Sequence, residues 1–315
     1  MRVVVTGATG FIGRSLSEKL VELGYEVYGL VRFTSKDKKL PAGVVKIVGD
    51  LTDPYSMVYL AKRVRPDIVV HTGALTPVSL SYDMPRAYAE TNYIGTINLA
   101  EAMRRNNERL RLFIYASTSE VYGQNSGDLL KETDPAKPNT PYAVSKYAGE
   151  LYVREYMVEA YDFPVAIIRP FNTYGRANVG QSHFVIEKLI TSMLRGEKDI
   201  LMGRPDAIRD FVFRDDHVDG YIRLIETGLE DIDLVQGKVF NICTGKGYAI
   251  DQIADMIADI IGWDGEIWWD LEYRPADIDV LVGDNSRAKS VLKWKPKYDI
   301  QSGLRKAIEE WRQVL

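Results

Sequence analysis

Cysteine, histidine and clustered basic residues are all scarce in this chain. Cys243 is the single cysteine among 315 residues, which excludes an internal disulfide and any cysteine-based metal site. Its neighbours Asn241 and Ile242 predict a buried strand, where a thiol acts as a small hydrophobe. The three histidines, His71, His183 and His217, lack metal-ligand spacing, and no metal is expected. No basic run of five occurs, and Lys36-Asp37-Lys38-Lys39 reads as a solvated loop. With 40 Lys and Arg against 44 Asp and Glu, the formal charge is −4, which argues against a nucleic-acid or anionic-membrane surface. Neither a bilayer-length apolar run nor a leader-like segment is visible, so a soluble, cytoplasmic chain is expected. Internal repeats, low-complexity runs and a clean linker are missing too. What remains is ordinary globular composition, 46% hydrophobic and 27% charged, with enough residues for one large core or two modest ones.

The amino terminus carries the first positive signal. Arg2-Val-Val-Val-Thr6 is a continuous β-branched run, as in a strand buried on both faces of a parallel sheet. Gly7-Ala-Thr-Gly10-Phe-Ile-Gly13 follows at once, and Arg14 to Leu23 then reads as a helix ending at Gly24. Strand, glycine-rich turn and helix are the context that a dinucleotide fingerprint requires. Gly7, Gly10 and Gly13, with Phe11 and Ile12 between them, would bring backbone N–H groups and the helix dipole to a pyrophosphate.

The βα alternation continues. A strand over Glu26–Val31 ends in Arg32, where NAD binders usually carry an acid for the ribose hydroxyls. An arginine there suits a 2′-phosphate, which favours NADP while leaving NAD open. Val44–Val48 and Asp67–His71 read as further strands. Asp50 and Leu51 follow the first and would meet an adenine edge. Gly73 and Ala74 follow the second as small residues beside a cofactor, and Ser79, Ser81 and Tyr82 come next as candidates for a substrate pocket. A helix near Tyr88–Asn106 leads to the strand Leu112–Tyr115. This pattern predicts an α/β fold of the Rossmann type, a doubly wound parallel sheet. After residue 170 the pattern loosens. The expected organisation is a dinucleotide-binding domain over 1–170, with segments near 211–243 returning to it. Residues 171–315 would then form mainly a smaller, interleaved substrate-binding lobe.

The stretch from Ala116 to Lys146 holds the chemistry. Ser117, Thr118, Ser119 and Glu120 sit where a strand ends, the edge at which open α/β sheets bind ligands. A helix over Pro141–Tyr161 would put Tyr142 and Lys146 on one face. An ammonium beside a phenol favours the phenolate, so Lys146 is expected to lower the Tyr142 pKa toward working pH for proton transfer to or from a substrate hydroxyl. Taken alone, this pair would more often be a plain helix surface. The nucleotide fingerprint upstream decides for chemistry.

Together, the glycine turn, the Ser-Thr-Ser-Glu strand end and the Tyr-x-x-x-Lys helix resemble the extended short-chain dehydrogenase/reductases. These are the NAD(P)-dependent sugar-nucleotide epimerases and dehydratases. Within them the chain looks most like the GDP-mannose 4,6-dehydratases. Ala116-Ser-Thr-Ser-Glu-Val-Tyr-Gly123, Asp206-Ala-Ile-Arg-Asp210, Tyr273-Arg-Pro-Ala-Asp-Ile-Asp279 and Trp294-Lys-Pro296 carry that likeness. The resemblance implies a nucleotide-diphosphate sugar as substrate. It makes Tyr142 the base at the sugar C4 hydroxyl, gives Lys146 the nicotinamide ribose, and has Thr118 hydrogen-bond the C4 hydroxyl. Ser119 would line the sugar site, and Glu120 would work at C5 and C6. Asn172, Arg209 and Arg274 would meet the nucleotide end, with Asp277 near its ribose. A homodimer through the helices after the fourth and fifth strands is implied as well. The Phe171–Arg176 turn, Gly180-Gln181 and the lone Arg32 resemble epimerases and GDP-4-keto-6-deoxy-hexose reductases more closely. The Ser-Thr-Ser-Glu motif is also similar to that of UDP-glucuronate decarboxylases. A 4-epimerase, a 4-keto reductase and, more remotely, a non-catalytic NADP-binding sensor therefore stay open.

Glu120 has a physical case of its own. A 4,6-dehydration moves a hydride from C4, a proton from C5 and water from C6. Oxidation at C4 acidifies the C5 proton, and one buried carboxylate can take it and hand it to the departing hydroxyl. An epimerase or ketoreductase needs no such acid.

Overall fold

The computed structural model of the chain describes residues 1–176, 184–271 and 275–315. Its amino-terminal half alternates strand and helix. β1 (Arg2–Thr6), α1 (Phe11–Glu22), β2 (Glu26–Val31), β3 (Val45–Val48), α2 (Pro54–Val64) and β4 (Ile68–His71) come first. α3 (Val78–Asp83) follows, and then α4 (Pro85–Tyr88), which runs through a π-helical turn at Ala89–Ile94 into α5 (Gly95–Asn106). β5 (Leu112–Ala116) leads to α6 (Pro141–Leu151), which passes through a second π-helical turn at Tyr152–Tyr156 into α7 (Met157–Tyr161) and then β6 (Val165–Pro170).

These strands form a parallel sheet in the order β3-β2-β1-β4-β5-β6, with Val239–Ile242 paired outside β6 as the seventh. Strand periodicity explains the layers. Val3 and Val5 point to one face, where they pack with Leu16, Ile68, Val70 and Ile114. Val4 points to the other, with Val69, Phe113, Met57 and Leu99. Both faces are covered, so the central strands read as unbroken apolar runs rather than alternating ones. The sheet order reverses between β1 and β4, and the cavity opens at that switch point.

The second half supplies β7 (Asn172–Tyr174), α8 (Val185–Leu194), β8 (Asp199–Met202), β9 (Ile208–Phe213), α9 (Arg214–Glu230), β10 (Val239–Ile242) and β11 (Gly247–Ala249). α10 (Ile250–Ile261), β12 (Glu266–Trp269), β13 (Val280–Leu281), α11 (Ser286–Val291) and α12 (Ile300–Arg312) complete it. β9 is paired by β7, β11 and β13, and β8 pairs with β12. A separate core of Ile186, Leu189, Ile190, Ile253, Ile257, Leu304 and Trp311 holds this lobe together. The chain is interleaved. Residues 208–213 belong to the lobe, whereas α9 and β10 return to the large sheet. So do Ala288, Leu292 and Trp294, a second return that the sequence pattern does not announce. β8, β11 and β12, each three or four residues long, are likewise unannounced. Among the described residues no helix is long and apolar enough to cross a membrane.

α6 is locked to the sheet by a buried ionic cluster. Glu150 accepts from Arg169 on β6 at 2.6 and 3.1 Å and from the Ser117 hydroxyl beyond β5 at 2.5 Å, with every partner buried. Gly149 lets the helix approach closely: a Cβ there would lie 2.5 Å from the Tyr115 hydroxyl. Removing one partner of a buried pair leaves the other charge uncompensated. Glu150→Ala should therefore lose about 3–5 kcal/mol of stability, read from the midpoint shift in urea unfolding. A loss below about 1 kcal/mol would show that the cluster does not hold the helix.

Candidate functional site

A cavity of about 620 Å³ runs from the turn after β1, across the ends of β4 and β5, to the lobe strands β7 and β9. At one end the backbone crowds itself. Gly7 has φ of +69°, and a Cβ on it would lie 2.9 Å from Gly73; one on Gly13 would lie 2.2 Å from the Gly7 carbonyl. Only glycine fits such a turn. Gly10 caps α1 without a side-chain hydrogen bond, so the first N–H groups of that helix are left for a ligand. Gly7, Gly10, Phe11, Ile12, Gly13, Asp50, Leu51, Gly73 and Ala74 all line this end. Asp50 also accepts from Thr52 at 2.8 and 2.9 Å, which fixes its carboxylate. Arg32 is exposed at the rim beside Ser35 and Lys38. The set fits a dinucleotide: a dipole end and a glycine cradle for the pyrophosphate, and cations beyond it.

The middle of the cavity is built from β5 and α6. Thr118 caps the short turn Ser119–Tyr122, accepting from the Glu120 N–H at 3.2 Å. Its hydroxyl also favours the ionised form of the Tyr142 phenol. α6 starts where it does because Thr140 accepts from the Ala143 N–H at 3.0 Å and Pro141 occupies the first turn. Thr118, Ser119, Glu120, Tyr142 and Lys146 then share one wall. All but Glu120, which is half-buried, are buried.

One expected coupling is absent. Burial pushes the Tyr142 phenol up, the Glu120 charge adds to the rise, and the Thr118 hydroxyl opposes it. Lys146 is not among these influences. Burial instead pulls the Lys146 ammonium down to about 7, against the field of Glu150. The expectation that Lys146 lowers the tyrosine is therefore corrected, and geometry gives the reason. The lysine Nζ stands over the Tyr115 ring, 4.4 Å from its centroid, and desolvation in the buried wall is the largest influence on both Lys146 and Tyr142.

At the far end, Asn172, Arg209, Asp277 and Ser79 line the cavity. Arg209 Nη2 lies 3.8 Å from Asp277 and its Nη1 donates to the Ile208 carbonyl at 2.9 Å. The Asn172 Oδ1 is buried without a hydrogen-bond partner. Ser81 does not reach the cavity: it is fully buried and donates to the Val78 carbonyl at 2.6 Å, closing a helical turn. Tyr82 does line it, donating to the Pro275 carbonyl. Arg274 lies outside the described residues, as do Gly180 and Gln181.

Several lining residues were not expected. Lys38 belongs to the loop read as merely solvated and Ser35 directly precedes it; their position six and three residues past Arg32 was the available signal. Arg204 ion-pairs Asp206 at 2.8 Å and Asp279 at 2.7 Å and lines the cavity beside Arg209. Glu187 is buried in α8 between Ile186 and Leu189, an acid on an apolar face. Two residues in the stretches that carry the family likeness serve the fold instead. Asp210 is buried and accepts from Thr244 and Gly245, and the Trp294 indole donates to the Asp216 carbonyl.

Comparison with known proteins gives this geometry a family. The family described as GDP-mannose 4,6 dehydratase matches residues 4–307. The chain is 32% identical to the GDP-6-deoxy-D-talose 4-dehydrogenase of Aggregatibacter actinomycetemcomitans, over 93% of this chain and 91% of that one. Other relatives near 30% identity divide between 4,6-dehydratases and 4-epimerases. Among solved structures, the UDP-glucose 4-epimerase of Thermotoga maritima with UDP-glucose superposes with a TM-score of 0.91 at 30% identity, covering 99% of each chain. The UDP-glucose 4-epimerase of Thermus thermophilus, in complex with NAD, gives 0.89 at 27% identity over 100% of both. The glycine cradle, the Thr118–Tyr142–Lys146 wall and a match over nearly the whole length lead to one conclusion: this chain belongs to the GDP-mannose 4,6-dehydratase family, extended short-chain dehydrogenase/reductases that act as sugar-nucleotide dehydratases and epimerases.

Proposed function

We propose that the protein is an NADP-dependent nucleotide-sugar 4,6-dehydratase that forms a 4-keto-6-deoxy sugar nucleotide. The observation that carries this reading is Glu120. Its carboxylate lines the same wall as Thr118 and Tyr142, and its charge is felt at the phenol. A nicotinamide cofactor, held by the Gly7–Gly13 turn and by Lys146, would supply a hydride acceptor at the sugar C4 and a hydride donor at C6. Tyr142 takes the C4 hydroxyl proton, assisted by the Thr118 hydroxyl, which favours the phenolate. Lys146, titrating near 7 on the same helix face, supplies the positive charge of the site. Glu120 takes the C5 proton and delivers it to the C6 hydroxyl, which leaves as water; as hydrogen returns to C6 a proton is restored to C5, balanced by the one Tyr142 took from the C4 hydroxyl. Asn172, Arg209 and Asp277 hold the nucleotide end, and the lobe after residue 170 provides that half of the cavity.

The relatives named as epimerases and the talose 4-dehydrogenase keep a second reading in view, in which C4 alone reacts. Mass spectrometry of products from GDP-, UDP-, dTDP- and CDP-sugars separates them as loss of water, pure isomerisation or net oxidation of added NADPH. For a dehydratase, Glu120→Gln should lower turnover by about 10²–10⁴, with loss of solvent-deuterium wash-in at C5. A variant that keeps nearly wild-type turnover would sink the dehydratase reading in favour of C4 chemistry alone.

NADP is preferred over NAD because Arg32, with Ser35 and Lys38 at the same rim, offers cations and donors to a 2′-phosphate. Calorimetric titration of Arg32→Ala should show a larger loss for NADP than for NAD. Equal losses would count against the assignment.

We further read the protein as a homodimer through α5 and α6. Ile94, Val144, Leu151 and Tyr156 on these helical segments are 44, 51, 37 and 46% exposed, a run of apolar side chains that water covers poorly. Light scattering at micromolar concentration should report twice the chain mass, and Val144→Asp should reduce it to one. A monomeric wild type refutes this interface.

A further inference from the structure

Glu187 is the buried acid that the chemistry above leaves unused. It sits in the first turn of α8, is 1% exposed and lines the cavity. One carboxyl oxygen, Oε1, accepts from the Gly175 N–H at 2.9 Å. The other, Oε2, is buried without any hydrogen-bond partner. A buried carboxyl oxygen left so is costly unless a ligand completes it. Glu187 and the residues that open α8, Phe184 to Ile186, line the same cavity as Arg204 and Arg209 of the lobe.

We propose that Glu187 acts as a neutral carboxylic acid whose Oε2–H donates a hydrogen bond to a diphosphate oxygen of the sugar nucleotide. The proposal rests on the nucleotide-sugar reading of the site and adds a residue and a proton to it. The surroundings agree. Burial raises the Glu187 pKa to about 8, opposed by the Gly175 N–H and by its own backbone N–H, and no charged side chain contributes to that shift. Lys188, next on the helix, donates to the Leu201 carbonyl. Arg214, beside Gly175, is committed to Asp215 and Glu310. α10 and α12 pack on α8 through Ile253, Ile257, Leu304 and Ile308. Asp255 and Asp259 of α10 are exposed, Asp251 is half-buried, and Lys306 of α12 is held by Asp215. The titratable neighbour is Tyr174, whose phenol burial keeps protonated and which the Glu187 charge pushes further up. Ionised, Glu187 would repel a diphosphate; protonated, it offers the donor that the anion needs.

A proton linkage follows. A diphosphate diester does not itself titrate between pH 7 and 8.5, so any proton taken up there comes to the protein. The experiment is calorimetric titration of UDP-glucose, GDP-mannose, dTDP-glucose and CDP-glucose into the intact protein with NADP present, at pH 7 and 8.5, in two buffers of different ionisation enthalpy. For the sugar nucleotide that binds, Kd should weaken about fourfold from pH 7 to 8.5, the factor for a group titrating near 8, with net proton uptake at pH 8.5. Glu187→Gln keeps both the acceptor for Gly175 and a donor toward the cavity, so it should bind with clearly less proton uptake at pH 8.5 than the wild type and a flatter pH response, the remainder belonging to Lys146. Glu187→Ala should weaken binding about tenfold at pH 7, the loss of one hydrogen bond to a charged group. NADP affinity should be unchanged in both variants, which also reports that they fold. A wild type without proton uptake, or a Gln variant whose uptake is undiminished, overturns the assignment. If NADP affinity carries the Glu187 linkage instead, the phosphate is the cofactor's and the proposal falls. If NADP binds but none of the four sugar nucleotides does, it is the nucleotide-sugar reading that fails.

Discussion

The structure depends on one buried ion pair. Glu150 and Arg169 stand on α6 and β6, and the Ser117 hydroxyl ties β5 to the same carboxylate. Residues 142, 146 and 150 are four apart, so anchoring the last fixes the azimuth of the first two. The reactive wall is thus set from behind: Ser117 reaches back to Glu150 while its neighbour Thr118 reaches forward to Tyr142. Rotation of the helix by one residue would turn the tyrosine away from the cavity and leave a guanidinium buried alone. The pair acts here as a register device as much as a source of stability.

A second constraint is dryness. Along the cavity, burial drives three ionisable groups toward their neutral forms: Tyr142 upward, Lys146 down to about 7 and Glu187 up to about 8. Charge in such a site is conditional on what enters. A dianionic ligand and a cationic ring redistribute protons among these groups, and in a medium of low effective dielectric each such change is amplified. The net negative chain handles anionic ligands in the same economical way, with backbone dipoles at α1 and a few placed arginines rather than a basic surface.

The amino acid order discloses some of this and hides the rest for identifiable reasons. β1, β4 and β5 are buried on both faces, so their apolar runs are unbroken and readable. Gly7 and Gly13 are legible because the turn tolerates nothing larger. Thr118, Tyr142 and Lys146 stand in local motifs, and the structure brings them together on one wall. Ser81 was misplaced because α3 is one turn and a half long, too short for its buried face to be told from its pocket face. The effect of Lys146 on Tyr142 was misjudged because helix spacing gives adjacency but not desolvation. Arg204 was missed since its role comes from distant segments meeting, whereas Ser35 and Lys38 lie just past Arg32, where a short charged run reads as a solvated loop. Glu187 was missed as one acid in an apolar helix, a feature that spacing alone cannot separate from an ordinary solvent-facing residue.

The position of β10 has a consequence for how the chain comes into being. The large sheet ends at β6 until Val239–Ile242 arrives to pair with residues 167–170 of that strand. During synthesis about seventy residues, from β6 to β10, emerge between the two strands, at a typical rate of several residues per second. For those seconds the nascent Rossmann half has an open strand edge, apolar and unpaired, of the kind that templates aggregation. The lobe residues made in that interval cannot yet shield it, since their own core needs Leu304 and Trp311 from the last helix. The interleaved topology therefore makes late translation, rather than the finished fold, the vulnerable period of this protein.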